Sequence, residues 1–408
     1  MELKAVLKIR KLYLTVGVTA MLFTGILYAW SILKIPFVQE FNWSPDLLAA
    51  NFTLTMTFFC LGAFVGSLLT KKFGVKVSLV LSALLSGAGF ILTGLLSADN
   101  QYMLFVTYAL FAGGGIGISY NVVVSAVTSW FPDKKGFSSG CLMLGFGLST
   151  LLLGNLVDYL YKTDSFGWKK TFIAIGAVLL IIIAISAFVL KRPDADTELP
   201  VIKPSGKGTY NEDFKKRDFS TVEMLKNLTF WMAFICMTFL TAVGNSAISF
   251  ARDLVLSVEA PEQLATTMVG ILAVCNGFGR ILTGACFDRF GRKRTMLTAN
   301  VITVTAAAVV LASVISGSLS LCIIGLCLTG ISYGSCPTVT SAFTSAFYGQ
   351  KHFAVNYSIM NFNLIIASVI AGISNKLLIS TGGFIASFIM LLVLSAVAMI
   401  ININIKKP

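Results

Sequence analysis

Ser67–Lys76 reads SLLTKKFGVK, and 217 residues later Gly284–Lys293 reads GACFDRFGRK. Each stretch joins two long apolar runs, opens on a small residue, and sets a basic residue directly before Phe-Gly-x-Lys. One Phe-Gly in a loop could arise by chance, but matched position, spacing and charge together read as an internal duplication. Between the copies, 191–226 is hydrophilic and mixes lysine and arginine with Asp194, Asp196, Glu198, Glu212, Asp213, Asp218 and Glu223. This linker divides the chain into two halves, 1–190 and 227–408. Pro193, Pro200, Pro204, Gly206 and Gly208 make its first part an irregular tether. Ser220 and Glu223, in the S-x-x-E pattern, predict a short surface helix over 220–226.

Outward from the two copies, apolar runs of about 20 residues recur to both ends, each long enough to cross a bilayer as a helix. Twelve spans are predicted: 12–34, 48–70, 77–97, 102–128, 137–160, 170–190, 229–251, 264–286, 295–315, 318–343, 353–376 and 382–404. The 408 residues are 56% hydrophobic and 12% charged, with a mean hydropathy of +0.85, against roughly a quarter charged in a soluble domain. That balance excludes a soluble, disordered, collagen-like or disulfide-scaffolded protein. Cys60, Cys141, Cys236, Cys275, Cys286, Cys322, Cys327 and Cys336 lie inside apolar runs without a C-x-x-C pair and read as small packing residues. The first run is long for a cleaved signal peptide and leads straight into further spans.

An even number of spans puts both termini on one side. Lys34, Lys162, Lys169, Lys170, Arg252 and Lys376 fall on the opposite side, Arg280 lies inside span eight, and the rest of the 31 lysines and arginines crowd the side of the termini. Short basic loops are retained in the cytoplasm, so both termini are predicted cytoplasmic, in a multi-pass protein of the cell membrane. The net charge of +13 is then a signature of topology and not of nucleic-acid binding. The expected fold class is an all-α membrane protein, twelve transmembrane helices in two pseudo-symmetric six-helix bundles, the organisation of a carrier that rocks around a mid-membrane site.

Arg280 is the residue that demands an explanation, because an arginine at the centre of a span costs about 2.5–3.5 kcal/mol even on insertion scales. No carboxylate is expected at its depth. Asp158 and Asp253 lie toward outer span ends, Asp288 in a cytoplasmic loop, and Glu40, Asp46 and Asp99 in outer loops. A partner that comes and goes, the carboxylate of a substrate held in a two-point fork, explains such an arginine. The alternative is a structural arginine satisfied by helix carbonyls and water. Asn276, one turn earlier on the same face, either orients the guanidinium, bonds the substrate, or bonds a neighbouring helix.

Several stretches carry a resemblance. Gly284–Lys293 resembles the loop signature of the major facilitator superfamily, and the first copy departs from it in having Lys71 where aspartate is usual. Tyr28-Ala-Trp30-Ser31, Trp130-Phe-Pro-Asp133-Lys-Lys-Gly136-x-x-Ser139-Gly140, Glu223-Met-Leu leading to Phe230-Trp231, Asn276-Gly-x-x-Arg280 and Asn356-Tyr357 resemble the oxalate/formate antiporter and monocarboxylate transporter families. The resemblance implies a secondary carrier acting as a monomer, with no cofactor, with a small organic anion and the lipid bilayer as its partners, and with no nucleic acid. It implies that Tyr28, Tyr120 and Tyr333 line the cavity; singly, each could equally be a packing or interface aromatic. It also implies a departure. Leu364 stands where the oxalate carrier has a second essential cation, and Thr329, Leu27 and Phe146 replace other pocket residues of that carrier. A dianion beside one guanidinium leaves a charge uncompensated at low dielectric. A monocarboxylate such as lactate, pyruvate or formate matches Arg280 one to one, with Leu364, Leu27 and Phe146 as an apolar wall and Asn361 or Asn363 near a hydroxyl or keto group. Exchange of the oxalate:formate type is the alternative. Proton coupling is implied only by the family: Asn276 stands where some monocarboxylate carriers have aspartate, and His352 reads as a loop residue.

Asp288, Arg289 and Arg292 are expected to form a conformational latch through ion pairing and helix-end electrostatics. Gly113-Gly-Gly-Ile-Gly117 has the small-xxx-small spacing of close helix packing. Gly136-Phe-Ser138-Ser-Gly140 and Gly330-Ile-Ser332-Tyr-Gly334 fit G-x-S-x-G, but neither follows a strand, and no phosphate-binding loop or H-E-x-x-H accompanies them, so no enzyme is expected.

Overall fold

The computed structural model describes residues 3–163, 166–194, 197, 199 and 218–406, and every regular element among them is helical. Ten helical runs are long and apolar enough to cross a membrane. Two of these, Pro45–Gly94 and Glu262–Ser316, have 50 and 55 residues, twice what one crossing needs. Each is interrupted by a single residue outside the helical region, Gly74 (φ 83°, ψ 174°) and Gly291 (φ 73°, ψ 177°). Only glycine readily adopts that backbone. With the division at these glycines the described residues contain twelve spans.

The spans are α1 (Leu3–Thr24, prolonged by a 3-10 turn over Gly25–Ala29 and short helices Trp30–Leu33 and Ile35–Gln39), α2 (45–73), α3 (75–94) and α4 (a π-helical stretch Phe105–Gly113, then Gly114–Thr128). They continue with α5 (Lys135–Tyr161), α6 (Gly167–Val189), α7 (Leu228–Ser249), α8 (262–290) and α9 (292–316). The last are α10 (Leu319–Tyr348), α11 (Phe353–Met360 and Asn363–Thr381) and α12 (Phe384–Asn404).

Three expectations change. The loops read at 71–76 and 289–294 are helix on both sides of one glycine, because a single backbone rotation at that glycine turns the chain where the sequence shows a basic interruption of the apolar runs. The first span begins at Leu3, well before residue 12, and runs to Gln39. Span eleven is broken at Asn361–Phe362 and runs on to Thr381. The helix expected after the linker is present as Thr221–Leu225. Its Ser220 hydroxyl accepts from the Glu223 amide at 3.3 Å, while the Glu223 carboxylate accepts from the Ser220 amide at 2.8 Å. The tether expected over Pro200–Gly208 lies outside the described residues.

The chain forms two compact units. Unit 1 comprises Met1–Asp133 and Gly145–Phe214; unit 2 comprises Lys134–Leu144 and Lys215–Pro408. The first turns of α5 therefore belong with the second half. Within unit 1, α2 begins on Ser44, whose hydroxyl accepts from the Leu47 amide at 3.2 Å ahead of Pro45 and Asp46. Gly113 and Gly117 of α4 lie against the backbone of α2 at Thr55 and Phe59. Unit 2 repeats the device with α8 and α10, where Gly279 meets Ile331 and Gly334 meets Asn276. In a bilayer, helix association relies on such close packing, since lipid tails are as apolar as the side chains.

A methyl group added at Gly117 or Gly334 would overlap the carbonyl oxygen of Phe59 or Asn276, whereas Gly270, also on α8, has nothing within 4 Å of the equivalent position. Gly117→Ala and Gly334→Ala should each destabilise the detergent-solubilised protein by about 1–3 kcal/mol. Gly270→Ala should be neutral or gain up to about 1 kcal/mol from helix propensity. Thermal unfolding of the three variants side by side checks the contrast.

Candidate functional site

Arg280 sits on α8 and is 5% exposed; Asn276, one turn earlier, is 9% exposed. The Arg280 Nε donates to Asn276 Oδ1 at 3.0 Å, and Nη1 donates to the carbonyl oxygen of Met143. Among the described residues the ion pairs are Arg10–Asp133 and Lys162–Asp158, and neither includes Arg280. Both acceptors that hold the guanidinium are neutral, and among the described residues no carboxylate pairs with it.

The sequence arranges this through small residues at the head of α5. Gly136 lies against the backbone of Gly284 and Gly140 against the backbone of Arg280, so α5 approaches α8 at van der Waals distance. The approach brings the Met143 carbonyl to the guanidinium. Three further bonds fix the same segment: the Ser139 and Ser341 hydroxyls are 2.9 Å apart, and the Asp288 carboxylate accepts from the amides of Gly136 at 2.8 Å and Phe137 at 2.7 Å. Asp288 thus satisfies N–H groups that the first turn of a helix leaves over, at the end that favours negative charge.

The other predicted residues of unit 2 are spread over α10 and α11. The Tyr333 ring packs on Gly244 of α7, where any side chain would collide with it, and the next residue, Gly334, abuts Asn276. Pro337, inside α10, cannot donate to the Tyr333 carbonyl, so the helix loses one ladder bond there. Asn361 and Asn363 flank the break in α11 and are buried. Leu364 follows as a half-buried residue whose amide donates to the Asn361 carbonyl at 3.0 Å.

Of the latch residues, Arg292 donates from Nη2 to the Ile405 carbonyl at 3.1 Å, at the C-terminal end of α12, and lies over the Phe347 ring. A cation there complements the helix dipole. Arg289 lies over its neighbour Phe290 and has no described bond to Asp288 or Arg292.

In unit 1 the predicted residues do converge. Tyr28, within the 3-10 turn of α1, meets the Phe146 ring edge-on with centroids 5.3 Å apart, and Tyr120 of α4 meets the same ring at 5.1 Å. Phe59 completes the cluster, 5.0 Å from Tyr120. Sequence reading missed Phe59, although its place one turn from Gly62 on the face that meets α4 was a usable signal. Leu27 is fully buried, as is Thr329, whose hydroxyl donates to the Gly325 carbonyl at 2.8 Å. Also unread were the hydroxyls of Thr338, Thr340, Ser341, Thr344 and Ser345, all buried along α10. Ser138 and Ser332, the central residues of the two G-x-S-x-G strings, lie inside helices.

Residues 13–255 and 234–405 match the Major Facilitator Superfamily. The chain is 26% identical over 348 residues to YhjX, an uncharacterized MFS-type transporter of Escherichia coli (strain K12), spanning 85% of this chain and 82% of that one. It is 29% identical over 293 residues to the oxalate:formate antiporter of Oxalobacter formigenes, spanning 70% and 65%. Among solved structures, the E. coli fucose:proton symporter FucP superimposes with a TM-score of 0.69 at 14% identity, covering 97% of this chain and 98% of that one, a likeness of fold. A match over nearly the whole chain, on a twelve-span helical fold built from two related halves, makes this protein a member of the major facilitator superfamily of membrane transporters.

Proposed function

We propose that the protein carries a small monocarboxylate of the lactate, pyruvate or formate type across the cell membrane by alternating access, with the Arg280 guanidinium receiving the carboxylate. The observation that carries this reading is a buried arginine held by two neutral acceptors, Asn276 and Met143, and by no ion pair among the described residues. Neutral acceptors orient a guanidinium but leave its charge in place, and an anion binding in the fork offsets the remaining desolvation cost. One guanidinium matches one carboxylate, and Leu364 adds no second charge. Tyr333, Asn361 and Leu364 are assigned to the organic part of the substrate; Tyr28, Tyr120 and Phe146 keep a substrate-lining role within the proposal. The likeness to an oxalate:formate antiporter supports a second reading, obligatory exchange of organic anions, which differs in requiring substrate preloaded inside.

The first test is uptake of labelled lactate, pyruvate and formate into proteoliposomes. Removing one partner of a buried pair costs about 3–5 kcal/mol, so Arg280→Ala should lower kcat/KM at least a hundredfold. Transport by that variant at the wild-type rate would remove the role assigned to Arg280. Asn276→Ala, which leaves the cation but frees its orientation, should raise KM about tenfold, the loss of one hydrogen bond to a charged group. Oxalate should compete poorly with the monocarboxylates in the same assay.

The positive-inside distribution supports cytoplasmic termini. On that face Asp288, Arg289 and Arg292 are proposed as a conformational latch, with Asp288 on the N-terminus of α5 and Arg292 on the C-terminus of α12 as its two helix-end contacts. Asp288→Ala leaves two amides without their acceptor and should cost about 0.5–2 kcal/mol, as loss of an N-cap does. The thermal midpoint measures it, and Asp288→Asn should retain part of the stability.

A further inference from the structure

Unit 1 contains a cavity of about 450 Å³ that plays no part in the site above. It opens where α2 turns into α3 at Gly74 and where the chain leaves α6, and its lining includes Thr70, Phe73, Lys76, Phe188, Lys191 and Arg192 and no carboxylate. These segments follow the second and the sixth crossing, so they lie at the same membrane end as the N-terminus. Three basic side chains therefore meet at one end of the bundle, and none of the described residues that line the cavity is acidic, the nearest acid in sequence being Asp194.

Their places are fixed. The Lys76 ammonium lies over the Phe188 ring, 4.4 Å from its centroid. The Trp130 indole donates to the Lys191 carbonyl at 2.7 Å, holding the exit from α6, and Arg192 donates from Nη2 to the Ser125 hydroxyl at 3.4 Å. Desolvation holds the Arg192 guanidinium below the usual arginine range, and among the described residues it forms no ion pair. Beside the charges, Phe73 and Phe188 are 50% and 65% exposed, and the Gly74 backbone lies open with nothing within 4 Å of where a side chain would begin. Cations above and exposed aromatics beside them, at the end of membrane-spanning helices, match a molecule with a charged head and an apolar body.

We propose that this cavity seats the phosphate head of an anionic phospholipid, with Lys76, Lys191 and Arg192 pairing to the phosphate and Phe73 and Phe188 against the acyl chains. The apolar flank selects a lipid over a free phosphate, which would use the cations alone. The exposed glycine backbone lets the head approach the turn between α2 and α3 at Gly74.

The full-length protein in uncharged detergent is titrated with dioleoyl phosphatidylglycerol, with phosphatidylcholine of the same chains, and with inorganic phosphate, bound molecules being counted by native mass spectrometry. A phosphatidylglycerol site at least about tenfold tighter than for phosphatidylcholine is expected, weakening with salt. The triple variant Lys76→Gln, Lys191→Gln, Arg192→Gln should lose that preference. The charge-keeping variant Lys76→Arg, Lys191→Arg, Arg192→Lys should retain it, as should Lys162→Gln, whose lysine is paired with Asp158. Equal affinity for the two lipids, or a triple variant that still prefers phosphatidylglycerol, overturns the proposal. So does full displacement of the lipid by an equal concentration of inorganic phosphate, which would make the cavity a free-phosphate site.

Discussion

A positive charge inside a helical bundle has to be positioned before it can be neutralised, and around Arg280 the positioning is done by groups that carry no charge. The amide of Asn276 grips one edge of the guanidinium and a backbone carbonyl of α5 grips another. Each grip depends on a missing side chain: Gly334 lets α10 close on Asn276, and Gly136 and Gly140 let α5 close on α8. An acid in place of the Asn276 amide would give the arginine a permanent counter-ion, and on the function proposed above it would weaken the pull on an external anion. Retaining charge while fixing geometry is what distinguishes a receptive cation from a structural one.

The same economy of small residues runs through both halves. Gly74 and Gly291 occupy equivalent places and adopt the same backbone conformation, reached by glycine and almost nothing else. The α2–α4 contact in unit 1 and the α8–α10 contact in unit 2 are both built by glycines that meet a carbonyl oxygen. In lipid, where burial of apolar area drives little, contacts of this kind supply the cohesion. Hydroxyls that bond back to their own helix, such as Thr55 to Asn51 and Thr340 to Cys336, let these threonines sit deep in the bundles with their donors satisfied.

Much of this was legible in the sequence because the bilayer imposes a length on every crossing. Apolar runs gave twelve helices, the S-x-x-E pattern gave the linker helix, and the solitary arginine announced itself by its cost. What escaped was set by backbone torsion and by partners remote in sequence. The turn at Gly291 reads as a polar loop in hydropathy, since φ leaves no trace in composition. Met143 as an acceptor for Arg280 depends on a carbonyl, which every residue has. Phe59 becomes the partner of Tyr120 through the contact between α2 and α4, to which only its place one turn from Gly62 pointed. Arg289 does not share the contacts of Asp288 because a side chain one position along a helix points about 100° away from its neighbour, and the Gly291 break separates it from Arg292.

The membership of residues 134–144 in unit 2 bears on how the polypeptide is completed as it is made. Gly136 is translated 152 residues ahead of Asp288, the carboxylate that receives its amide. Until that aspartate emerges, the leading turn of the fifth crossing has uncapped N–H groups, and a gene severed in the linker would strand this turn on the wrong fragment. That piece of the earlier half is thus capped only once the later half has been made, so the two repeats depend on one continuous polypeptide.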